Sequence, residues 1–479
     1  MSFSRNAAWI VVSAVMVATA AASPDDPLNV YPLVTPTQIG KHKTSIVTSG
    51  CQAPKTTELT LLDVVDSALC NNPQTHEAWA AARAQAAQVG IAQASFLPSI
   101  TAAGSIAHHW TSGSSTTNRD GTYNQESLGI SLSYLLYDFG ARDATLESAR
   151  QVLIASNASQ ETTLQAVLFD AVQAYYQVFA TRSALTAAQD AERVAQVSLD
   201  AATARYKAGT STPTDSLQAR TAHSQAVLTR IRAEGATHTA TGILSSTIGL
   251  DANQAVTLAQ PNEQISTTEF AANLDGLLDE LINTARQQRP ELAAAEAQWQ
   301  AATATVKATS AADKPTISLG TGLTESLTDE QHPARDANIG VSIAIPLFSG
   351  YNSTYKIKAA QEQVELRAAQ RDRIRQQISL DVWKAYYNII TEAQAMRSSE
   401  DLVASAEQAE KMTSGRYRAG LGNILDVLTA QSALASARQQ AIQARYNWLI
   451  ARAAMAQALG RIDVASFIAP SDPGAQTRK

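Results

Sequence analysis

Asn338–Gly350 reads NIGVSIAIPLFSG, and its alternation decides the fold. On an extended chain Ile339, Val341, Ile343, Ile345 and Leu347 share one face, while Gly340, Ser342 and Ala344 share the other. Leu128, Ile130 and Leu132, set against Gly129, Ser131 and Ser133, repeat the pattern in SLGISLSYLLYDFG, Ser127–Gly140. One face is apolar and the other small and polar.

Each stretch has a partner upstream: SITAAGSIAHHW from Ser99 and TISLGTGLTES from Thr316. Polar loops are expected between them, TSGSSTTNRDGTYNQE from Thr111 and a stretch around Thr328 to Asp336. The result is two hairpins, at about 99–140 and 316–350, with strands of about 10 residues, the length and alternation of a membrane barrel wall. A soluble sheet packed on helices is the alternative. Four strands cannot close around a lumen, and lipid does not tolerate an open edge, so closure needs further chains. Two chains would give eight strands and a filled interior; three would give twelve and room for a pore.

Away from the hairpins the texture is helical. No glycine or proline interrupts Ala141–Ala208, Tyr351–Ser414 or Asn423–Leu459. A helix of about 65 residues would be about 100 Å long. Leu164, Leu168, Ala171, Tyr175, Val178 and Leu185 step by threes and fours, interrupted by Arg182; Ile378, Val382, Ala385, Ile389 and Met396 do the same, interrupted by Glu392. This is coiled-coil spacing, and small residues on these faces would let helices approach closely.

The chain is also doubled. RYKAGTSTPTDSLQARTA from Arg205 recurs as RYRAGLGNILDVLTAQSA from Arg416, 211 residues later. At the same offset Ala174-Tyr175-Tyr176 answers Ala385-Tyr386-Tyr387, Asp215 answers Asp426 and Gly249 answers Gly460. Upstream, Pro73 and Pro98 answer Pro290 and Pro315 at an offset of 217. The expected organisation is a first repeat over 58–250, a linker over 251–275, a second repeat over 276–460 and a tail over 461–479.

The first residues read as a signal peptide, 1–22: Arg5, an apolar run from Ala7, then Ala20-Ala21-Ala22. The run is short for a membrane span and Asp25-Asp26 follow at once. The mature chain is expected to begin near Ser23, with an N-terminal extension over 23–57, and no other apolar run reaches 18 residues. Cys51 and Cys70, the two cysteines, enter an oxidising compartment, where a disulfide is plausible. Thr48-Ser49-Gly50 before Cys51 lacks the leucine of a lipidation site, so no lipid is expected. A net charge of −6, from 43 acids and 37 bases among 479 residues, gives no footprint for nucleic acid.

With hairpins, paired long helices and a duplication, the chain resembles the TolC family of outer-membrane efflux and secretion channels over about residues 58–460. The resemblance rests on Arg205-Tyr206-Lys207-Ala208-Gly209 with Asp215, on Arg416-Tyr417-Arg418-Ala419-Gly420 with Asp426-Val427-Leu428, and on the strand ends Tyr137-Asp138-Phe139-Gly140 and Leu347-Phe348-Ser349-Gly350. It implies a mixed α and β membrane protein: a homotrimer whose twelve strands form a barrel in outer-membrane lipid, continued by a long periplasmic coiled-coil tunnel pinched shut at its far end. It implies partners there, a periplasmic adaptor (membrane fusion protein) and an inner-membrane transporter of the ABC or RND type. Arg205, Tyr206, Gly209, Arg416, Tyr417 and Gly420 are the tip residues matched to adaptor contact. Asp426 matches a lumenal acid at the constriction, and Asp215 and Tyr417 match residues that latch helix pairs closed. For Asp215 and Asp426 an N-cap role is the plainer alternative. Where relatives carry a second acid this chain has Thr429, and where some carry a basic latch residue it has Gly422.

An enzyme finds little support: there is no H-E-x-x-H, G-x-S-x-G or phosphate-binding glycine loop, and no metal site or cofactor is expected. His108 and His109 are adjacent and so fall on opposite faces of a strand. Arg367, Arg371, Arg373 and Arg375 read as a solvated helix face. A periplasmic coiled-coil adaptor or a structural protein of an envelope complex is the alternative function, although it would not carry doubled hairpins. Cargo is not legible: drugs, metal ions and a secreted protein all remain open.

Overall fold

The computed structural model describes residues 26–34, 58–111, 121–254, 256–260, 277–328 and 331–460. The expected signal peptide, Cys51 and the C-terminal tail lie outside the described residues. The helices are α1 (Leu61–Asn71), α2 (Pro73–Ala94), α3 (Ala141–Lys207), α4 (Pro213–Thr247), α5 (Leu278–Gln288), α6 (Pro290–Ala311), α7 (Asn352–Arg418) and α8 (Ile424–Ala458). The strands are β1 (Ser99–Thr111), β2 (Gly121–Tyr137), β3 (Thr316–Thr328) and β4 (Gln331–Ala344). Helices α3 and α7 both run 67 residues, and α4 and α8 both run 35. Among the described residues no helix is long and apolar enough to cross a membrane.

Among the described residues, one compact unit falls within 1–35, 80–158 and 293–372. It holds a four-stranded antiparallel sheet in the order β1-β2-β3-β4. The register stacks Ile100 on Leu132, Ile130 on Leu323, Leu319 on Val341 and Ile317 on Ile343 on one face. On the opposite face hydroxyls pair across strands: Thr101 with Ser131 at 2.9 Å, Ser105 with Ser127 at 2.8 Å and Ser318 with Ser342 at 2.9 Å. Gly129, Gly320, Gly322 and Gly340 stand on the same face.

The register corrects two expectations. The strands are 13, 17, 13 and 14 residues long, not about 10, and the described residues of both expected polar loops are strand. Polar composition imitated turns, but these residues pair across strands. Arg335 donates to Glu325 at 3.0 Å, and His108 meets Asn124 at 2.6 Å. His109 stacks on Tyr123, on the face opposite His108, as adjacent strand residues must.

The passage from β2 into α3 explains the Tyr137-Asp138-Phe139-Gly140 motif. Buried Asp138 accepts from the Gly140 and Arg142 backbone N–H groups and from Arg142 Nε, occupying donors the helix start leaves open. Arg142 donates on to the Leu135 carbonyl at 2.8 Å. At the entry to α7, Gly350 and Tyr351 take positive φ. Elsewhere in this unit Val30 and Val34 of the N-terminal extension pack on Ala82, Ala86, Val89 and Leu153.

Two of the four clustered arginines are half-buried and engaged with a neighbouring helix. Arg367 donates to Gln298, and Arg371 pairs with Glu296 at 3.5 Å and lies over Trp299, so both tie α7 to α6. Arg373 and Arg375 are exposed.

The described residues within 36–79, 159–292 and 373–479 form the second unit. Its core gathers Val64 and Val65 of α1, Leu164, Leu168, Ala171, Tyr175, Tyr176 and Val178 of α3, Leu244 and Ile248 at the end of α4, Ile389 of α7 and Trp448 of α8. Each large side chain withdrawn from water here contributes on the order of 1.5–3 kcal/mol. The threes-and-fours spacing thus marks the buried stripe correctly. Part of the expected linker belongs to this core: Leu258 is buried and Leu59 N–H donates to Thr257 O at 2.9 Å. Arg289 joins the α5–α6 junction to α7 through Glu291 (2.8 Å) and Asp381 (2.9 Å). Burial pulls its pKa down, but the two carboxylates outweigh this and the net shift is upward.

Candidate functional site

Two helical turns carry the motif that recurs in the sequence, and their ends are built alike. After α3, Gly209 N–H donates to Tyr206 O and Thr210 N–H to Arg205 O, both at 2.9 Å; after α7, Gly420 N–H donates to Tyr417 O at 3.0 Å and Leu421 N–H to Arg416 O at 2.8 Å. This is a Schellman closure, and its left-handed position falls on the glycine, with φ of 74° at Gly209 and 76° at Gly420. The chain then reverses within a few residues into α4 or α8.

The next helices begin with different caps. Thr212 precedes α4 with Pro213 behind it, and its hydroxyl donates to Asp215 Oδ1 at 3.1 Å. Asn423 caps α8, its Oδ1 accepting from Asp426 N–H at 2.9 Å. Asp215 and Asp426 are therefore not the N-caps. Both occupy the third helical position, where a carboxylate is favoured by the helix dipole. Asp426 is exposed, and among the described residues its carboxylate has no partner; Thr429 is exposed as well.

The two tips are joined asymmetrically. Tyr417, 7% exposed, sits among Ala202, Ala219, Ile424 and Val427. The Arg205 guanidinium lies 4.2 Å from its ring centroid and donates to Tyr417 O at 2.7 Å and Arg418 O at 3.3 Å. A cation over an aromatic face and a donor to carbonyls at a helix C-terminus are both favourable. The Tyr417 hydroxyl is buried without a hydrogen-bond partner, so no bond joins it to Asp215 within this chain. Tyr206, by contrast, is 46% exposed, and Arg416 is exposed too. The Arg205–Tyr417 contact escaped the sequence, because an identical Arg-Tyr pair stands at both tips. Further along the hairpins, Ser198 and Gln431 bond to each other, and Arg230 pairs with Glu192.

The sheet is the second functional surface. Its apolar face is open: Ile339 is 78% exposed, with Val341, Ile343, Leu128 and Ile130 also exposed. A soluble sheet would cover such a face. Among the described residues no group of three His, Cys, Asp or Glu could hold a metal ion.

A sheet with an uncovered apolar face, in a chain with paired 67-residue helices that turn on glycine, defines an outer-membrane channel. The outer membrane efflux protein family matches residues 64–250 and 281–461, and the chain belongs to that family. Protein CyaE of Bordetella pertussis is 31% identical over 418 residues, 85% of this chain and 86% of that protein. Outer membrane efflux protein BepC of Brucella suis is 24% identical over 84% of this chain and 86% of its own length. The fold is also that of the Campylobacter jejuni CmeC outer membrane channel, with a TM-score of 0.75 at 19% identity, covering 84% of this chain and 85% of that one. The chain is an outer-membrane channel for efflux or secretion, and the adaptor alternative is set aside.

Proposed function

We propose that three copies of this chain form the exit duct of a tripartite export system: twelve strands close a barrel in outer-membrane lipid, and the paired helices of the two repeats line a periplasmic tunnel. A periplasmic adaptor docks at the Gly209 and Gly420 turns, and an inner-membrane transporter of the ABC or RND type delivers the cargo. The observation that carries this reading is the sheet, whose order leaves β1 and β4 as edges beside an exposed apolar face. Lipid cannot satisfy those edges, whereas β4 of one copy can pair with β1 of the next until the wall closes. The duplication supplies two similar staves per chain, so three chains give a nearly sixfold tube.

Native mass spectrometry in detergent should find three chains. A water-soluble monomer or dimer would end the barrel reading. Denatured protein should have the mass of a chain starting near Ser23, without lipid, and should gain two hydrogens on reduction as the Cys51–Cys70 disulfide opens. That bond could stabilise by roughly 3 kcal/mol. Cys70 lies in the last turn of α1, and Cys51 outside the described residues.

Asp426 is assigned to the constriction. Three exposed, unpartnered carboxylates converging in a narrow throat would attract cations more strongly than on an open surface. In planar bilayers the wild-type channel should prefer cations and be blocked by multivalent cations from the periplasmic side. Asp426→Ala should weaken both effects; if neither changes, no acidic ring exists.

A further inference from the structure

The Arg205–Tyr417 contact reaches from the first tip to the second. Moved forward by the 211-residue repeat, Arg205 becomes Arg416; moved back by the same step, Tyr417 becomes Tyr206. The second tip therefore carries the arginine, and the first tip the tyrosine, of an identical contact. Within one chain that contact is not made, since Arg416 is exposed and Tyr206 is 46% exposed, against 7% for Tyr417. The backbone around the unused pair is already in the same form, because both helices end in the same Schellman closure on Gly209 and Gly420. The carbonyls equivalent to those that bind Arg205 are Tyr206 O and Lys207 O. The tips also leave Leu217, Met412, Leu421 and Leu425 exposed, which is apolar surface with no cover inside the chain.

We infer that the occupant of this unused surface is a second copy of the chain, with Arg416 of one copy lying over the Tyr206 ring of the next and donating to the carbonyls that end its α3. The inference rests on the multimeric reading above and assigns it a contact. An arginine on each tip reaches the tyrosine of the tip that follows, so the direction is the same at every step around a ring. Such a head-to-tail contact uses two different surfaces of each chain and closes when the rotation returns to its start. Arg416 and Tyr206 are thereby withdrawn from the adaptor, and the glycine turns between helices are left to it.

The test replaces Tyr206 with the photo-cross-linking residue benzoylphenylalanine in the full-length chain, purified in detergent, with native mass measured on the same sample. Irradiation should give a product of twice the chain mass whose cross-linked peptide contains Arg416. The same residue placed at Tyr417 should cross-link within a single chain, to the peptide containing Arg205. If the sample is multimeric but position 206 links within its own chain, elsewhere on the second copy or to nothing, the inferred contact is wrong and the multimer stands. A sample of single chains overturns the multimer and the contact together.

Discussion

Gly249→Ala is expected to yield almost no stable channel, although the substitution adds a single methyl group. Gly249 closes α4 at φ 79°, its N–H donating to Ser246 O at 3.1 Å. An alanine there bears a left-handed cost of about 1–2 kcal/mol. The larger effect is contact: the added Cβ would collide with Asn71 O and lie 2.6 Å from Asn71 C, backbone atoms at the end of α1. Relief requires shifting α1, whose Val64, Val65 and Ala68 are wholly buried, or the end of α4, where Ile248 is 1% exposed and Asn72 Nδ2 donates to Thr247 O at 3.0 Å. The combined loss should be about 4 kcal/mol or more, which belongs to the severe class of point mutations. Gly209→Ala is the control. Its φ is nearly the same, 74°, but nothing lies within 4 Å of the added Cβ, so it should lose only the conformational part. Thermal unfolding in detergent and the yield of folded protein compare the two; equal stability would refute the contact argument. Gly460→Ala should fall between them, its Cβ meeting Gln288 and Arg289 backbone at 3.0–3.1 Å.

Those glycines mark the boundary of what the sequence could convey. Their recurrence at one offset was legible, and a glycine closing a helix was a sound reading of the motif. The reason only glycine fits at 249 was not, because the obstructing atoms belong to Asn71, far earlier in the chain. Strand alternation was legible where one face is apolar, as from Leu128 to Leu132 and from Ile339 to Ile343. It failed at the polar ends of the hairpins, where Glu325 and Arg335 look like loop residues until the register sets them opposite each other. The long helices were legible from the absence of glycine and proline, and in α3 and α7 spacing alone marked buried positions such as Leu164, Leu168, Ile378 and Val382. At the tips, sequence placed the turn but not its wiring: Asp215 and Asp426 sit in the first turn of their helices, with Thr212 and Asn423 at the caps. A motif present twice cannot say which copy of Arg-Tyr is already engaged.

The largest functional change should come from Tyr417→Ala, and Tyr417→Phe should behave like the wild type. The Tyr417 ring fills the cluster that joins the two tips of one chain and carries the Arg205 guanidinium on its face. Truncating a buried aromatic to alanine costs about 3–5 kcal/mol, and here it also strips Arg205 of its partner surface. The tips should part. If they form the closed end of the tunnel, single-channel conductance in planar bilayers should rise well above the wild-type level, while the distant core keeps the protein folded. The hydroxyl is a separate matter. It is buried and unpartnered within the chain, so its removal in Tyr417→Phe should be neutral or slightly stabilising, by about 1 kcal/mol at most. A latch made by a hydrogen bond from this hydroxyl to Asp215 predicts the reverse, with phenylalanine opening the channel nearly as far as alanine. Conductance of the phenylalanine variant therefore decides whether the ring or its oxygen holds the tips together: a closed channel assigns the role to packing and the Arg205 cation, and an open one returns it to a hydrogen bond formed only in the assembly.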